Sequence, residues 1–455
     1  MIPLRVAVVG SGPAGFNAAG ALLSADIPLE VDMIERLPTP WRLVRLGVAP
    51  DHPKLKTASR AFERIAERPG FRFLGNVEVG RDVSHADLAR LYDAVVYAVG
   101  AQTDRRLGIP GEDLPGSWAA TEFVAWYNGH PDFQDLRFDL DVERAVVIGV
   151  GNVALDVARM LALTPEELAP TDTTDQAIAA ISGSSIREIV VVGRRGPAQA
   201  AFTTPELAEL GDLAGADVIV YPADLEGAEP TDTNSERNLG VLRELAARVP
   251  TGKPRRIVLM FFRSPVAIHG VDRVESIELA RNVLDADNRA VQTEERETLP
   301  CGIVFRSVGY RGVELPDVPF DERSGTIPNE AGRVAPGLYC AGWIKRGPTG
   351  VIGTNKKDAT ETVERLLEDL RAAARKGATA DDVDAFLDER AVRRVVYAGW
   401  LAIDEHERGA GEPLGRPRVK LCSWDELLAA ASRRAAGVER GSPAEQTRAR
   451  QSRAR

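Results

Sequence analysis

Cysteine is scarce in this chain. Its 455 residues carry three, Cys301, Cys340 and Cys422, scattered and without any CxxC or metal-type spacing. A disulfide framework, a Cys-rich zinc site and an iron–sulfur site are therefore not encoded, no metal ligands are expected, and a reducing cytoplasm fits. Long apolar runs are missing too. None approaches the roughly 18 residues of a membrane helix, so no membrane span is expected. Positive charge is in deficit: 57 Lys and Arg stand against 67 Asp and Glu, a net charge of −10. That argues against sequence-independent nucleic-acid binding, which needs a basic face. No secretory leader or Arg/Ser-rich transit peptide is expected before the first strand-like segment. What remains is an ordinary globular composition, 44% hydrophobic and 27% charged, long enough for about two or three domains.

The chain opens with a strand at 5–9, a helix at 12–24 and a second strand at 29–34, a βαβ unit. Another begins with a strand at 145–148, a helix at about 152–162 and a strand at 189–192. Between these last two, 164–185 is polar and reads as an excursion with its own short helix. Further strands are expected at 93–99 and 338–340, the latter followed by a glycine-rich turn and a helix over 353–375. From Gly437 the residues are Gly, Ser, Pro, Gln and Arg with almost no large apolar side chain. The stretch 437–455 is expected to be a disordered tail.

Two motifs carry chemistry. Gly10-Ser11-Gly12-Pro13-Ala14-Gly15 follows a strand and opens a helix, and Glu35 lies 20 residues beyond Gly15 at the end of the next strand. In a dinucleotide fold the first glycine permits the turn and the second lets a pyrophosphate approach the backbone. The third lets helix and strand pack closely, and the acid accepts from ribose hydroxyls. A glycine-rich turn without ligand is the alternative. Gly149-Val150-Gly151-Asn152-Val153-Ala154 repeats the pattern, with Arg194 and Arg195 where an NAD site has an acid. Guanidinium groups suit a 2′-phosphate, so this site reads as NADP(H), unless the arginines form surface ion pairs. Two nucleotides in one chain imply FAD first and NADPH second, with hydride transfer between them. Trp343 to Thr354 is glycine-rich and precedes a helix, so it could face an anion or be a simple cap. His52, one of five histidines, follows the first βαβ unit closely enough to be a candidate near the flavin.

Longer stretches resemble one family. They are Gly10–Gly15, Leu43-Val44-Arg45, Gly47–Pro53, Gly75–Gly80, Ile109–Glu112, Gly151–Arg159, Val192–Pro197, Arg306–Tyr310 and Trp343–Ile352. From residue 4 to about 430 the chain resembles adrenodoxin-reductase-type ferredoxin–NADP⁺ reductases, actinobacterial members above all. The resemblance implies an α/β fold of two Rossmann-like domains, with the NADP domain inserted into a discontinuous FAD domain. The FAD domain would span 1–102 and 309–436, and the NADP domain 103–308. It implies FAD contacts at Ala14, Glu35, Leu43, Val79, Trp343, Gly350, Val351 and Ile352. NADP contacts would fall on Gly151, Asn152, Val153, Ala154, Arg194, Arg195, Glu206 and Gly350. His52 and Glu209 would tune hydride and proton transfer as modulators.

The implied activity is hydride transfer from NADPH to FAD, followed by single-electron transfer to a ferredoxin. An NADPH-dependent flavin monooxygenase is the competing activity, since it shares both nucleotide sites. A disulfide reductase is excluded by the scattered cysteines. An acidic surface with a disordered tail is compatible with a monomer. Two departures from the family stand out. Arg42 occupies a position usually held by glycine. The stretch Thr231–Arg237, basic in animal members, is hardly basic here. An acidic ferredoxin would then dock elsewhere, with the surroundings of Arg194 and Arg195, or Lys345 and Arg346, as candidates.

Overall fold

The computed structural model describes residues 3–350, 353–372 and 375–438. They form two compact units. One comprises 1–48, 52–102 and the chain from 311 onward; the other comprises 49–51 and 103–310.

The first unit is built on a six-stranded sheet. Its strands run in the order Arg333–Ala335, Leu338–Cys340, Ala94–Tyr97, Leu4–Val9, Leu29–Glu35, Phe71–Gly75. All pairings are parallel except the edge pair 333–335 with 338–340. Parallel strands are buried on both faces, which explains why Val6–Val9 reads as an unbroken apolar run. Alternate residues feed opposite faces. Val6 and Val8 pack with Phe16 and Leu22 of the helix Pro13–Leu22 and with Val363 and Leu366 of the helix Thr354–Ala372. Ala7 and Val9 pack with Leu88 and Leu91 below, and with Phe386 and Leu387 of the helix Ala380–Glu389. Leu338 pairs with Val95, which carries the late chain into the sheet begun by the N-terminus.

The second unit has its own six-stranded parallel sheet, in the order Ser117–Ala119, Ile303–Arg306, Arg144–Ile148, Glu188–Val192, Arg255–Met260, Ala216–Val220. One face, with Ala145, Val147, Ile189 and Val191, packs on the helix Asn152–Ala162 and its neighbours. The opposite face, with Val146, Ile148, Val190 and Val192, is covered by residues of a three-stranded antiparallel sheet, including Ile268, Ile277 and Leu279. Each fully buried Val, Leu or Phe side chain contributes about 1.5–3 kcal/mol, so two cores of this size hold without covalent staples. The excursion 164–185 holds two short helices rather than one, Pro165–Leu168 and Asp175–Ser182, capped by Thr164 and Thr174. The last helix runs Trp424–Val438, so 437 and 438 belong to it; 439–455 lie outside the described residues.

Candidate nucleotide-binding sites

In the first unit the turn after Leu4–Val9 depends on glycine. Gly10 has φ +105°, and a Cβ there would lie 2.6 Å from the Ala98 carbonyl oxygen. A Cβ on Gly15 would lie 1.9 Å from the Gly10 carbonyl oxygen, so strand and helix touch through this residue. Gly12 differs: nothing comes nearer to its Cβ position than the Arg42 Cβ, at 3.9 Å. Gly12 is also the N-cap of the helix Pro13–Leu22 and supplies no side-chain cap. By helix geometry the N–H groups of Ala14 and Gly15 have no carbonyl partner within the helix. Open space beside helix-start N–H donors and a positive dipole end is what a pyrophosphate requires.

Glu35 is 3% exposed. Its Oε2 accepts from the Ser11 N–H at 3.0 Å and the Ser11 hydroxyl at 2.7 Å, and its Oε1 from the Leu37 N–H at 3.0 Å. The carboxylate is thereby fixed at the sheet's C-terminal edge, beside the fingerprint turn. Leu43 starts a bend whose carbonyl accepts from Gly47 and Val48 at 2.9 and 2.8 Å. Val79 packs against the cluster containing Val9 and Ile34, the ends of the first two strands.

The late chain joins the same region. Gly342, at φ +80°, passes so close to Ala14 that a Cβ would lie 2.5 Å from the alanine methyl. Its N–H donates to Asp358 Oδ2 at 2.5 Å. Asp358 also pairs with Lys345 and Arg346, each at 3.3 Å. Trp343 and Gly350 therefore stand on a turn braced by one carboxylate and two cations. Trp343 Nε1–H donates to the Thr349 carbonyl at 3.2 Å, closing the turn. Val351 and Ile352 lie outside the described residues.

The second unit repeats the cradle with different ends. Gly149 has φ +132°, and a Cβ would lie 2.1 Å from the Ser307 carbonyl oxygen. Gly151 has nothing within 4 Å of its Cβ position and caps the helix Asn152–Ala162 without a side-chain cap. Asn152 Oδ1 accepts from the Thr203 N–H at 2.8 Å, which ties the fingerprint to the loop before the helix Thr204–Leu210. Val153 packs on the helical core and Ala154 is fully buried in it. Arg194 is exposed and Arg195 half-buried. Among the described residues the Arg195 side chain donates to the Gln199 carbonyl, at 3.4 Å. Neither arginine pairs with a carboxylate among the described residues, so the surface ion-pair alternative does not hold. Two adjacent guanidinium groups beside an open helix start fit a phosphorylated nucleotide.

A family model described as "Pyridine nucleotide-disulphide oxidoreductase" matches residues 4–190. The "NADPH-ferredoxin reductase FprA" of Mycobacterium tuberculosis (strain ATCC 25618 / H37Rv) is 54% identical over 452 residues, 94% of this chain and 99% of that protein. This chain belongs to the NADPH–ferredoxin reductase family. A plant relative, the mitochondrial "NADPH:adrenodoxin oxidoreductase" of Arabidopsis thaliana, is 42% identical over 463 residues, 94% of this chain and 96% of that one. The solved structure of M. tuberculosis FprA in complex with NADPH matches with a TM-score of 0.91 and 52% identity, covering 94% of this chain and 99% of that chain.

In this family member the cysteines are not a redox pair. None of the three, all described, forms a disulfide. Burial pushes the Cys301 and Cys340 thiols up to about 12 and the Cys422 thiol to about 11, away from reactive thiolates. Among the described residues no helix is long and apolar enough to cross a membrane. His52 is the N-cap of the short helix Pro53–Lys56 in the first unit. Glu209 is exposed on the helix Thr204–Leu210 in the second.

Lys345 and Arg346, one candidate pair for docking a carrier, are both engaged by Asp358. Lys345 is 7% exposed and is held by Asp358 and by Glu361 at 2.6 Å. Sequence reasoning also missed a buried cluster in the second unit. Arg159, 2% exposed, donates to Asp51 at 2.6 and 3.2 Å, to Asp156 at 2.7 Å and to Glu206 at 3.4 Å. Burial opposes its charge, but Asp51 and Asp156 outweigh it and hold the guanidinium firmly protonated. The signal was two charged residues, Asp156 and Arg159, in the otherwise apolar run Val153–Ala162 of the fingerprint helix. Glu206 is thus positioned from below by the same helix that carries the fingerprint.

Proposed function

We propose that the chain is a FAD-dependent NADPH:ferredoxin oxidoreductase whose first unit holds FAD and whose second holds NADP(H). The observation that carries the reading is the pair of open glycine cradles, one ending in a fixed carboxylate and the other in two arginines without acidic partners among the described residues. FAD held in the first cradle would supply an acceptor for the hydride of NADPH and a donor of single electrons to an iron–sulfur carrier.

The chain's own residues bind and orient. Gly10, Gly12, Ala14 and Gly15 form the phosphate turn of the first unit, and Glu35 accepts from the adenosine ribose. Leu43, Val79, Trp343 and Gly350 shape the remainder of that site, with Val351 and Ile352 assigned to it by resemblance. In the second unit Gly151, Asn152, Val153 and Ala154 offer the helix start to the pyrophosphate. Arg194 and Arg195 take the 2′-phosphate, and Glu206 borders the site. Hydride transfer requires positioning more than proton transfer, so His52 and Glu209 act as modulators. The cytoplasm is the compartment in this reading, supported by buried thiols with no disulfide among them.

Anaerobic stopped-flow tests the proposal. The yellow protein should bleach with NADPH and recover its colour on adding a ferredoxin. Recovery only with O₂ and an organic substrate would favour a monooxygenase. A colourless protein that FAD cannot reconstitute would overturn the assignment of the first cradle.

A further inference from the structure

Arg42 stands beside the first cradle in a conformation that glycine adopts at no cost. Trp41 has φ +76° and Arg42 φ +26°, two successive side-chain-bearing residues at positive φ. Such a backbone persists only where something holds it, and it is a pointer to function. The side chain starts next to Gly12, with the Arg42 Cβ 3.9 Å from the position a Gly12 Cβ would take. It ends between Glu35 and Gln102. Its Nη2–H donates to Gln102 Oε1 at 3.2 Å, and its Nη1 lies 3.6 Å from Glu35 Oε1, too far for a hydrogen bond. Nη1 is buried and has no hydrogen-bond acceptor among the described residues, although the side chain as a whole is 19% exposed. The guanidinium charge is paired with Glu35, but a buried Nη1–H donor without a hydrogen-bond acceptor remains costly.

We propose that Arg42 is a cofactor-binding residue that grips the ADP half of FAD, donating its unsatisfied Nη1–H to the pyrophosphate. The inference rests on the first cradle being the FAD site. Three features converge on it. The root of the side chain flanks the glycine that opens space for the phosphates, the tip flanks the ribose carboxylate, and its unsatisfied Nη1–H belongs to a group that pairs strongly with phosphate oxygens. Arg42 would thus add a side-chain cation to a phosphate site otherwise made of backbone N–H groups.

The test compares wild type, Arg42→Gly, Arg42→Gln and Arg42→Lys. FAD affinity is read from the flavin fluorescence that appears on release, and ADP affinity of the apoprotein from titration calorimetry. Both Kd values should rise about tenfold or more in the glycine and glutamine variants, the size of a lost charge-assisted hydrogen bond. The lysine variant should recover part of the loss, since it keeps charge without the planar fork. The apoprotein melting temperature of Arg42→Gly should equal or exceed that of wild type, because glycine relaxes the backbone. Weaker FAD binding therefore cannot be a folding defect. Unchanged FAD retention in Arg42→Gly, or unchanged ADP affinity in Arg42→Gln, would overturn the proposal. A wild-type protein that does not take up FAD would instead sink the reading of the cradle.

Discussion

In the first cradle a Cβ on the third fingerprint residue, Gly15, would lie 1.9 Å from the Gly10 carbonyl oxygen; in the second the same place is taken by Ala154, fully buried and accommodated. Both cradles leave the second glycine open, at Gly12 and Gly151. They part again at the end of the following strand. Glu35 is immobilised there by Ser11 and Leu37, whereas Arg194 and Arg195 have no carboxylate partner among the described residues. One topology therefore serves two nucleotides. The phosphate turn is common, and discrimination is left to the tips of the second strands, where ribose substituents differ. The spacing between helix and sheet can be tight or relaxed without changing the ligand class.

The largest expected effect tests the tight packing. Gly15→Ala should destabilise the first unit by about 3 kcal/mol and empty it of flavin, because strand and helix must separate. Denaturant unfolding and the flavin-to-protein absorbance ratio report the two losses. A variant that folds and stays yellow would erase this difference between the cradles.

A second contrast lies beneath the first cradle. Glu407, fully buried, accepts from Arg45 at 2.8 and 2.5 Å, from Arg418 at 3.0 Å and from the Leu421 N–H at 3.0 Å. Burial raises its pKa, but the two arginines and the backbone donor outweigh that and hold it below its usual 4.5. A depressed folded-state pKa stabilises above the unfolded value and is lost as pH falls through the folded one. The first unit should therefore lose stability progressively below about pH 4.5. Glu407→Gln should cost about 3 kcal/mol at neutral pH by leaving buried arginines unpaired. It should also flatten the acid limb of the stability curve. An acid limb identical to that of wild type would place the pH dependence elsewhere.

Much of this was legible from residues. The apolar runs at 6–9 and 145–148 announce doubly buried parallel strands, and the glycine spacing announces the turns. What escaped had no local signature. A strand was expected at about 273–281 and is found at Ser276–Leu284, but its outer partner Ala290–Pro300 reads in part Gln-Thr-Glu-Glu-Arg-Glu-Thr, which looks like a loop. The Glu407 pairing joins residues 362 apart, and Asp358 reaches Gly342 from a different element. Arg42 was visible as a departure, but its unsatisfied N–H and positive φ needed coordinates. Long-range ion pairs follow from which helices meet, and periodicity does not encode that.

The arginine end of the comparison has a cleaner readout than stability. Arg194→Ala with Arg195→Ala should weaken NADPH by about 2 kcal/mol, roughly 30-fold, from the lost charge-assisted bonds. NADH lacks the 2′-phosphate and should be nearly unaffected. The ratio of kcat/KM for the two nucleotides reports the difference. Equal losses would mean that the arginines act on parts common to both.

The smallest effect comes from making the second cradle resemble the first. Ala154 sits in the first turn of the helix Asn152–Ala162 with its methyl group packed among core residues. Replacing it with glycine removes that contact and adds backbone freedom to the unfolded chain, together about 1 kcal/mol. NADPH affinity should hardly change, because the helix start and the opening at Gly151 stay as they are. The reciprocal changes are thus unequal. A methyl added at Gly15 collides with a carbonyl, whereas one removed at Ala154 leaves a small gap. If Ala154→Gly cost as much as Gly15→Ala in parallel unfolding experiments, close helix–strand contact would be a shared demand of both cradles, and the relaxed fit of the second would have to be abandoned.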